Sequence, residues 1–111
     1  MAYDEKLAER IRELIPADIN FSERKMFGGL AFLAGGHMAI AASGEGGVLV
    51  RCGPEKFEKL AREAEVETAV MRGRVMKGWL RVPASRLRTK RQLQRWVDLS
   101  VAYVGTLPAK R

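Results

Sequence analysis

Glycine is concentrated in one part of this sequence. Seven of the eleven glycines lie between Arg24 and Cys52, in a stretch that begins RKMFGGLAF. Gly35-Gly36 separates two apolar runs, as in a two-residue hairpin whose central residues need positive φ. Residues 43–47, SGEGG, offer a second reversal. The pattern predicts three antiparallel strands, at about 25–33, 37–43 and 48–52.

The same stretch also has the length of a possible membrane span. Residues 26–44 carry no formal charge over nineteen positions, which approaches the number that crosses a bilayer as a helix. Glycine pairs interrupt this run, however, and make it a poor helix. The first thirteen residues alternate acids and bases without the apolar segment of a signal peptide. We therefore expect a cytoplasmic protein with no membrane partner.

Gly28 and Gly29 stand inside the first predicted strand. Glycine in a strand interior costs roughly 0.5–1 kcal/mol, so this pair needs a compensating reason. We expect a bulge, or the close approach of another backbone or of a ligand. A phosphate-binding loop is not supported, because neither Gly-Lys-Ser/Thr nor a helix follows the glycines.

Three amphipathic helices and a second strand pair complete the prediction. Helical spacing of apolar residues, Pro16 after the first helix, Pro54 at the start of the second and a Thr89-x-x-Gln92 capping box before the third mark the helix limits. Arg72-Gly73 separates the last two strands. The expected fold is one α+β domain over residues 1–111, in the order α-β-β-β-α-β-β-α, with a five-stranded sheet. The helices are expected at 4–15, 54–63 and 90–104, the strand pair at 66–82, and a basic tail at 105–111.

The sequence contains one histidine and one cysteine. A catalytic or metal site generally needs several such groups held together, and no paired constellation is visible. Cys52 is expected to be a small buried strand residue and His37 an exposed residue at a strand end. We therefore predict a protein that is not an enzyme and has no cofactor, metal or catalytic residue.

Charge is unevenly distributed along the chain. Residues 71–111 hold eleven Lys and Arg against one acid, whereas residues 1–70 carry a net charge of −3. If Met76, Leu80 and Val82 face the core, then Lys77, Trp79 and Arg81 line the opposite face of the last strand. A cationic surface with an exposed aromatic residue is typical of proteins that bind nucleic acid through phosphate contacts and base stacking. The candidate nucleic-acid residues are Arg72, Arg74, Lys77, Trp79, Arg81, Arg86, Arg88, Lys90, Arg91 and Arg95.

A second hypothesis concerns the uncovered face of the sheet, which includes Trp79. This face could bury itself against another protein or against a copy of the chain, giving a homodimer. The two hypotheses differ in salt dependence, because phosphate contacts weaken steeply with salt whereas an apolar interface persists.

The sequence carries RKMFGGLAF at 24–32 and MKGW at 76–79. With these segments it resembles, over nearly its whole length, the N-terminal domain of the TfoX/Sxy family of competence regulators. The C-terminal helix and tail, with WVD at 96–98 and LPAK at 107–110, also look like this family. The resemblance implies a mostly antiparallel five-stranded sheet of the secretion-chaperone-like kind and a regulatory or adaptor role linked to transcription. It implies no catalytic residue, and the C-terminal helical domain of longer members has no counterpart here. The motif residues that carry the resemblance are Arg24, Lys25, Met26, Phe27, Gly28 and Gly29, followed by Met76, Lys77 and Gly78.

Overall fold

A computed structural model describes residues 3–26 and 28–108. The three predicted helices are present, and a short 3-10 helix, Ala84–Arg86, follows the last strand. The helices are α1 (Glu5–Leu14), α2 (Pro54–Ala61) and α3 (Lys90–Val104), and the strands are β1 (Phe21–Met26), β2 (Gly29–Ala34), β3 (His37–Ala42), β4 (Val48–Arg51), β5 (Glu67–Met71) and β6 (Arg74–Val82).

The six strands form one antiparallel sheet in the order β1-β2-β3-β4-β6-β5. Helix α3 packs on β3 and β4, α1 packs on α3, and α2 packs against β6. The main core lies between this sheet and the helices. Trp96 of α3 lies at the centre of this core and is 1% exposed. We call the side of the sheet that faces α1 and α3 the inner face.

The prediction of five strands was wrong, because the first predicted strand is two strands. The chain reverses after Met26, which pairs directly with Gly29. Gly28 occupies this turn with a φ of 75°, a conformation that favours glycine. Phe27 lies outside the described residues. As a result, β1 becomes an edge strand with four exposed residues at its centre, and the single strand predicted at 25–33 is replaced by a hairpin.

The other reversals agree with the sequence. Gly35 and Gly36 have φ of 59° and 83° and join β2 to β3, with Ala34 opposite His37. The amide of Ser43 donates to the carbonyl of Gly47 at 3.0 Å and closes the second reversal. Both hairpin predictions are therefore confirmed.

The helix ends also follow their sequence signals. The Asp4 carboxylate accepts from the amides of Lys6 and Leu7 at 2.9 and 3.1 Å and begins α1. The Thr89 hydroxyl and the Gln92 side chain form the predicted capping box at the start of α3. Such caps satisfy amides that have no partner within the helix.

One predicted strand face was wrong. The strand pair at 66–82 is present, and Leu80 and Val82 are buried in the core as expected. Met76, however, lines the same cavity as Arg81, on the other side of the sheet. The cause is an irregular register between β5 and β6 together with a φ of 93° at Gly78, because a bulge of this kind reverses the alternation of side chains.

Over the part of the chain that the structure describes, no helix combines the length and the apolar character needed to cross a membrane.

Candidate functional site

A second apolar cluster lies on the side of the sheet that faces away from α1 and α3, which we call the outer face. Ala31, Leu33 and Ala41 are buried there. Three partly buried residues pack against them. All six lie on strands, and no helix within residues 3–26 and 28–108 contributes to the cluster. The three packing residues are Met26, Met38 and Leu49.

The outer face is strongly curved. Strands β1 and β5 are the two edges of the sheet, and in a flat sheet five strand spacings would separate them by about 24 Å. Nevertheless Met26 of β1 and Met71 of β5 line one cavity of about 110 Å³. The sheet therefore curls around its outer face and forms a groove. We call it the outer groove; it is lined by Met26, Gly29, Ala31, Ala41, Ala42, Ser43, Glu45, Leu49, Ala69, Val70, Met71, Met76 and Arg81.

The groove combines small residues with flexible methionines. A Cβ atom on Gly29 would lie 2.1 Å from the carbonyl oxygen of Ala42, so this position has no room for a side chain. The close approach of another backbone, one of the sequence-based alternatives, is therefore the observed reason for Gly29. Met26, Met71 and Met76 supply unbranched thioether side chains, which adapt to irregular apolar partners.

Charged groups stand beside the groove. Arg81 donates to the Glu45 carboxylate at 2.9 Å, and both residues line the cavity. Arg24 is exposed and lies opposite Ala31, and Arg74 is exposed and lies opposite Met71. Because cross-strand partners share a face of the sheet, both arginines belong to the outer face.

Trp79 is also on the outer face, where it forms part of a stacked group. It lies opposite Arg51 of β4. The Arg51 guanidinium carbon is 5.2 Å from the centre of the Trp79 ring and 5.6 Å from that of Tyr103 on α3. These distances are typical of cation–π contacts. One face of the Trp79 indole is therefore occupied by a side chain of the same molecule.

Three of the candidate nucleic-acid residues are engaged in ion pairs. Besides Arg81 with Glu45, both Arg95 and Arg86 donate to the Glu63 carboxylate, at 2.8 and 3.2 Å for one oxygen. Hydrogen bonding from Arg95 is the main cause that lowers the pKa of Glu63, and Arg86 adds to it. These cations hold α3 and the turn before it to the end of α2.

The remaining cations fall into two groups. Arg72, Arg74 and Lys77 lie at or near the β5–β6 turn, whereas the second group lies at the other end of β6, around the start of α3. A nine-residue strand separates these ends by about 25 Å. The ten candidates therefore do not form one surface. The second group consists of Arg88, Lys90 and Arg91, of which Arg88 and Lys90 line a cleft with Arg10.

Sequence reasoning missed several residues that the structure brings to the outer face. Met26 and Arg24 were assigned to a different strand arrangement, and Glu45 and Met71 were not considered. No local sequence signal identifies them, because only strand pairing brings them together.

Residues 17–104 match the family model of the TfoX N-terminal domain. The chain belongs to the TfoX N-terminal domain family. The resemblance found in the sequence is thereby confirmed, and the family is of a regulatory type. Comparison with curated proteins and with solved structures finds no match to this chain. The likeness to secretion-chaperone folds stays a prediction.

The family motif has a structural role in this TfoX N-terminal domain. Met26, Gly28 and Gly29 form the turn between β1 and β2 and the close approach to β3. Gly78 forms the irregular point of β6, and its carbonyl accepts from the amides of Cys52 and Gly53 at 2.8 and 3.2 Å. Both segments shape the curved sheet and therefore the outer groove.

No hydrogen bond joins His37 to Cys52 among the described residues of this TfoX N-terminal domain. His37 Nε2 lies 2.6 Å from the carbonyl oxygen of Pro108. Cys52 Sγ lies 3.4 Å from the carbonyl oxygens of Gly53 and Gly78, and burial raises the pKa of its thiol, which disfavours the nucleophilic thiolate. No group of three metal-ligating side chains occurs among residues 3–26 and 28–108.

Proposed function

We propose that this TfoX N-terminal domain is a non-catalytic regulatory adaptor that docks a protein segment in the outer groove. One observation supports the proposal above all. The outer groove is lined by the partly exposed apolar side chains of Met26, Leu49, Met71 and Met76, and the described residues add no helix that covers them. Contiguous apolar surface of this kind marks interaction sites in soluble proteins.

The size of the cavity favours a protein partner over a small-molecule ligand. Its volume is about 110 Å³, whereas pockets for small ligands usually span about 300–1,000 Å³. A space of this size suits one apolar side chain. Partners commonly insert such a side chain as the energetic centre of an interface.

Site-specific photo-crosslinking in cells tests this function. A photoreactive phenylalanine at Leu49, in the groove, is expected to form an adduct with a second protein. The same residue at Glu58, exposed on α2, serves as the control and is expected to give none. An adduct between two copies of the chain would favour the homodimer instead. Absence of any adduct specific to Leu49 would contradict docking in the groove.

Nucleic-acid binding is a second candidate function. It is supported by Arg88, Lys90 and Arg91, which make no ion pair within the described part of the chain and stand at the positive end of the α3 dipole. Non-specific phosphate contacts give dissociation constants of about 10⁻⁴–10⁻⁶ M at physiological salt. Titration of labelled DNA and RNA at two salt concentrations, with Lys90→Glu/Arg91→Glu as the test variant, measures this contribution. Equal binding by the variant would exclude this site.

A further inference from the structure

The outer groove has more positive than negative charge around its apolar centre. Side chains on this face include Arg24, Arg74 and Arg81, as judged from cross-strand pairing with groove residues or from lining the groove. The acids on the same face are Glu45, paired with Arg81, and Glu67, which lies opposite Arg81. Ion pairing thus leaves the outer face cationic.

The neighbouring charges on β1 belong to the other side of the sheet. Glu23 receives hydrogen bonds from Arg12 of α1 at 2.5 and 2.8 Å, which places its carboxylate on the inner face. Lys25 lies opposite Leu30, a member of the main core, and therefore shares that inner face. Glu23 consequently does not neutralise Arg24, although the two residues are adjacent in sequence.

Arg24 and Arg74 flank the groove on opposite sides, because each lies opposite a groove-lining residue, Ala31 or Met71. Arg24 belongs to the edge strand β1, whereas Arg74 begins β6 beside the other edge strand, β5. Both side chains are exposed, and neither forms an ion pair within the ranges that the structure describes. A segment lying in the groove would pass between two guanidinium groups with unused donors.

A second copy of the chain is a poor occupant for this groove. A symmetric dimer brings the same patch of both copies together, so each cationic margin would face another cationic margin. The net charge of +7 adds to this repulsion. An acidic occupant has the complementary charge and also gains bidentate contacts with arginine.

We propose that the outer groove binds an acidic peptide segment of a partner protein that carries one large apolar side chain. The apolar side chain fills the cavity between Met26, Met71 and Met76, and flanking carboxylates contact Arg24 and Arg74. This inference rests on the proposed function, because it names the class of partner for the same groove.

Selection from a random dodecapeptide display library with the full chain as bait tests the proposal. Selected peptides are expected to contain two or more acids beside a Leu, Ile, Phe, Met or Trp. Synthetic peptides from the selection should bind Arg24→Glu/Arg74→Glu at least about tenfold more weakly than the parent chain, because two attractive contacts become repulsive. The control variant Lys25→Glu/Lys56→Glu has the same net charge as Arg24→Glu/Arg74→Glu. It should bind the peptides as tightly as the parent chain does.

A variant that fills the groove tests whether the groove is the binding site. This question is separate from whether the bound peptides are acidic. Ala41→Leu places extra volume in the groove and should abolish binding. Met71→Trp, on the edge strand, also adds volume to the groove without changing its charge and provides the same test if the first variant does not fold. Peptides that bind these variants normally, or failure to select any peptide, would overturn the proposal together with docking in the groove. Peptides that these variants exclude but that lack acids would overturn the acidic class and leave the docking function standing.

Discussion

Gly29 lies against the backbone of β3, which makes it the most restrictive position of the family motif. A Cβ atom there would collide with the Ala42 carbonyl at 2.1 Å, and a backbone oxygen cannot rotate away as a side chain can. We expect Gly29→Ala to lower the free energy of unfolding by about 1–3 kcal/mol, the usual range for added volume in a packed region. Urea denaturation measures this change.

The adjacent glycine provides the matched control. Apart from its chain neighbours, no atom of the described residues lies within 4 Å of a Cβ at Gly28, and its φ of 75° is a conformation that asparagine tolerates. Gly28→Asn should therefore cost less than Gly29→Ala. Equal losses for the two variants would show that the collision with Ala42 is not the cause.

Glu63 connects stability to pH. The pKa of Glu63 is lowered in the folded protein, chiefly by hydrogen bonding from Arg95. A lowered folded-state pKa means that ionised Glu63 stabilises the fold above its unfolded-state value of about 4.3, and that this contribution is lost as pH falls through the folded-state pKa. Glu63→Gln should reduce the free energy of unfolding by up to about 1 kcal/mol at pH 7 and by much less in strong acid.

Urea denaturation at pH 7 and in strong acid measures the free energy of unfolding and checks this expectation, with Glu58→Gln as the control. Glu58 is exposed on α2 and makes no ion pair among the described residues. A loss for Glu63→Gln that does not depend on pH would indicate a packing effect instead of the ion pair with Arg95 and Arg86.

At the scale of elements, α3 and β6 hold the two tryptophans in different environments. Trp96 is 1% exposed, whereas Trp79 is partly exposed on the outer face beside Arg51. Trp79→Phe should leave a blue-shifted emission that acrylamide quenches weakly, and the parent protein should show an additional quenchable component. Unfolding in urea should make the quenching of the two proteins alike. Strong quenching of the folded variant would contradict the burial of Trp96.

Most elements could be predicted because their signals are local. The Gly35-Gly36 hairpin, the Thr89 capping box and the proline at the start of α2 each depend on a few adjacent residues. The turn after Met26 was missed because apolar residues precede Gly28 and hide the break in the strand. A glycine pair within an apolar run is compatible with a bulge as well as with a turn, and only the pairing of Met26 with Gly29 distinguishes them.

The candidate site was less accessible from the sequence because its residues come together only in the folded sheet. Local alternation placed Met76 in the core, whereas the irregularity at Gly78 moves it to the outer groove. Charge counting grouped Arg81, Arg86 and Arg95 with the other cations, but their acidic partners are distant in sequence. The sequence predicted an uncovered face of the sheet that includes Trp79. It did not predict the curvature that turns this face into a groove.

At the scale of the whole molecule, the distribution of charge determines what can approach each side. The sheet presents an apolar groove with cationic margins, and the start of α3 carries a separate cationic group that lines another cleft with Arg10. A protein segment and a polyanion would therefore meet different surfaces. Binding one need not exclude the other, so variants at the groove and at Lys90 and Arg91 should affect the two activities independently.

The same distribution predicts the oligomeric state. A dimer formed through the outer groove would place Arg24 and Arg74 of one copy against the corresponding margin of its partner, because a two-fold interface is self-complementary. The apolar area would favour this contact, but repulsion between the cationic margins and the net charge of +7 oppose it.

We expect a monomer at physiological salt, as measured by sedimentation velocity over a range of protein concentrations. Arg24→Gln/Arg74→Gln removes the repulsion and should associate more readily than Lys25→Gln/Lys56→Gln, which has the same net charge. A parent chain that forms salt-resistant dimers, disrupted by Ala41→Leu, would instead identify a second copy as the occupant of the groove.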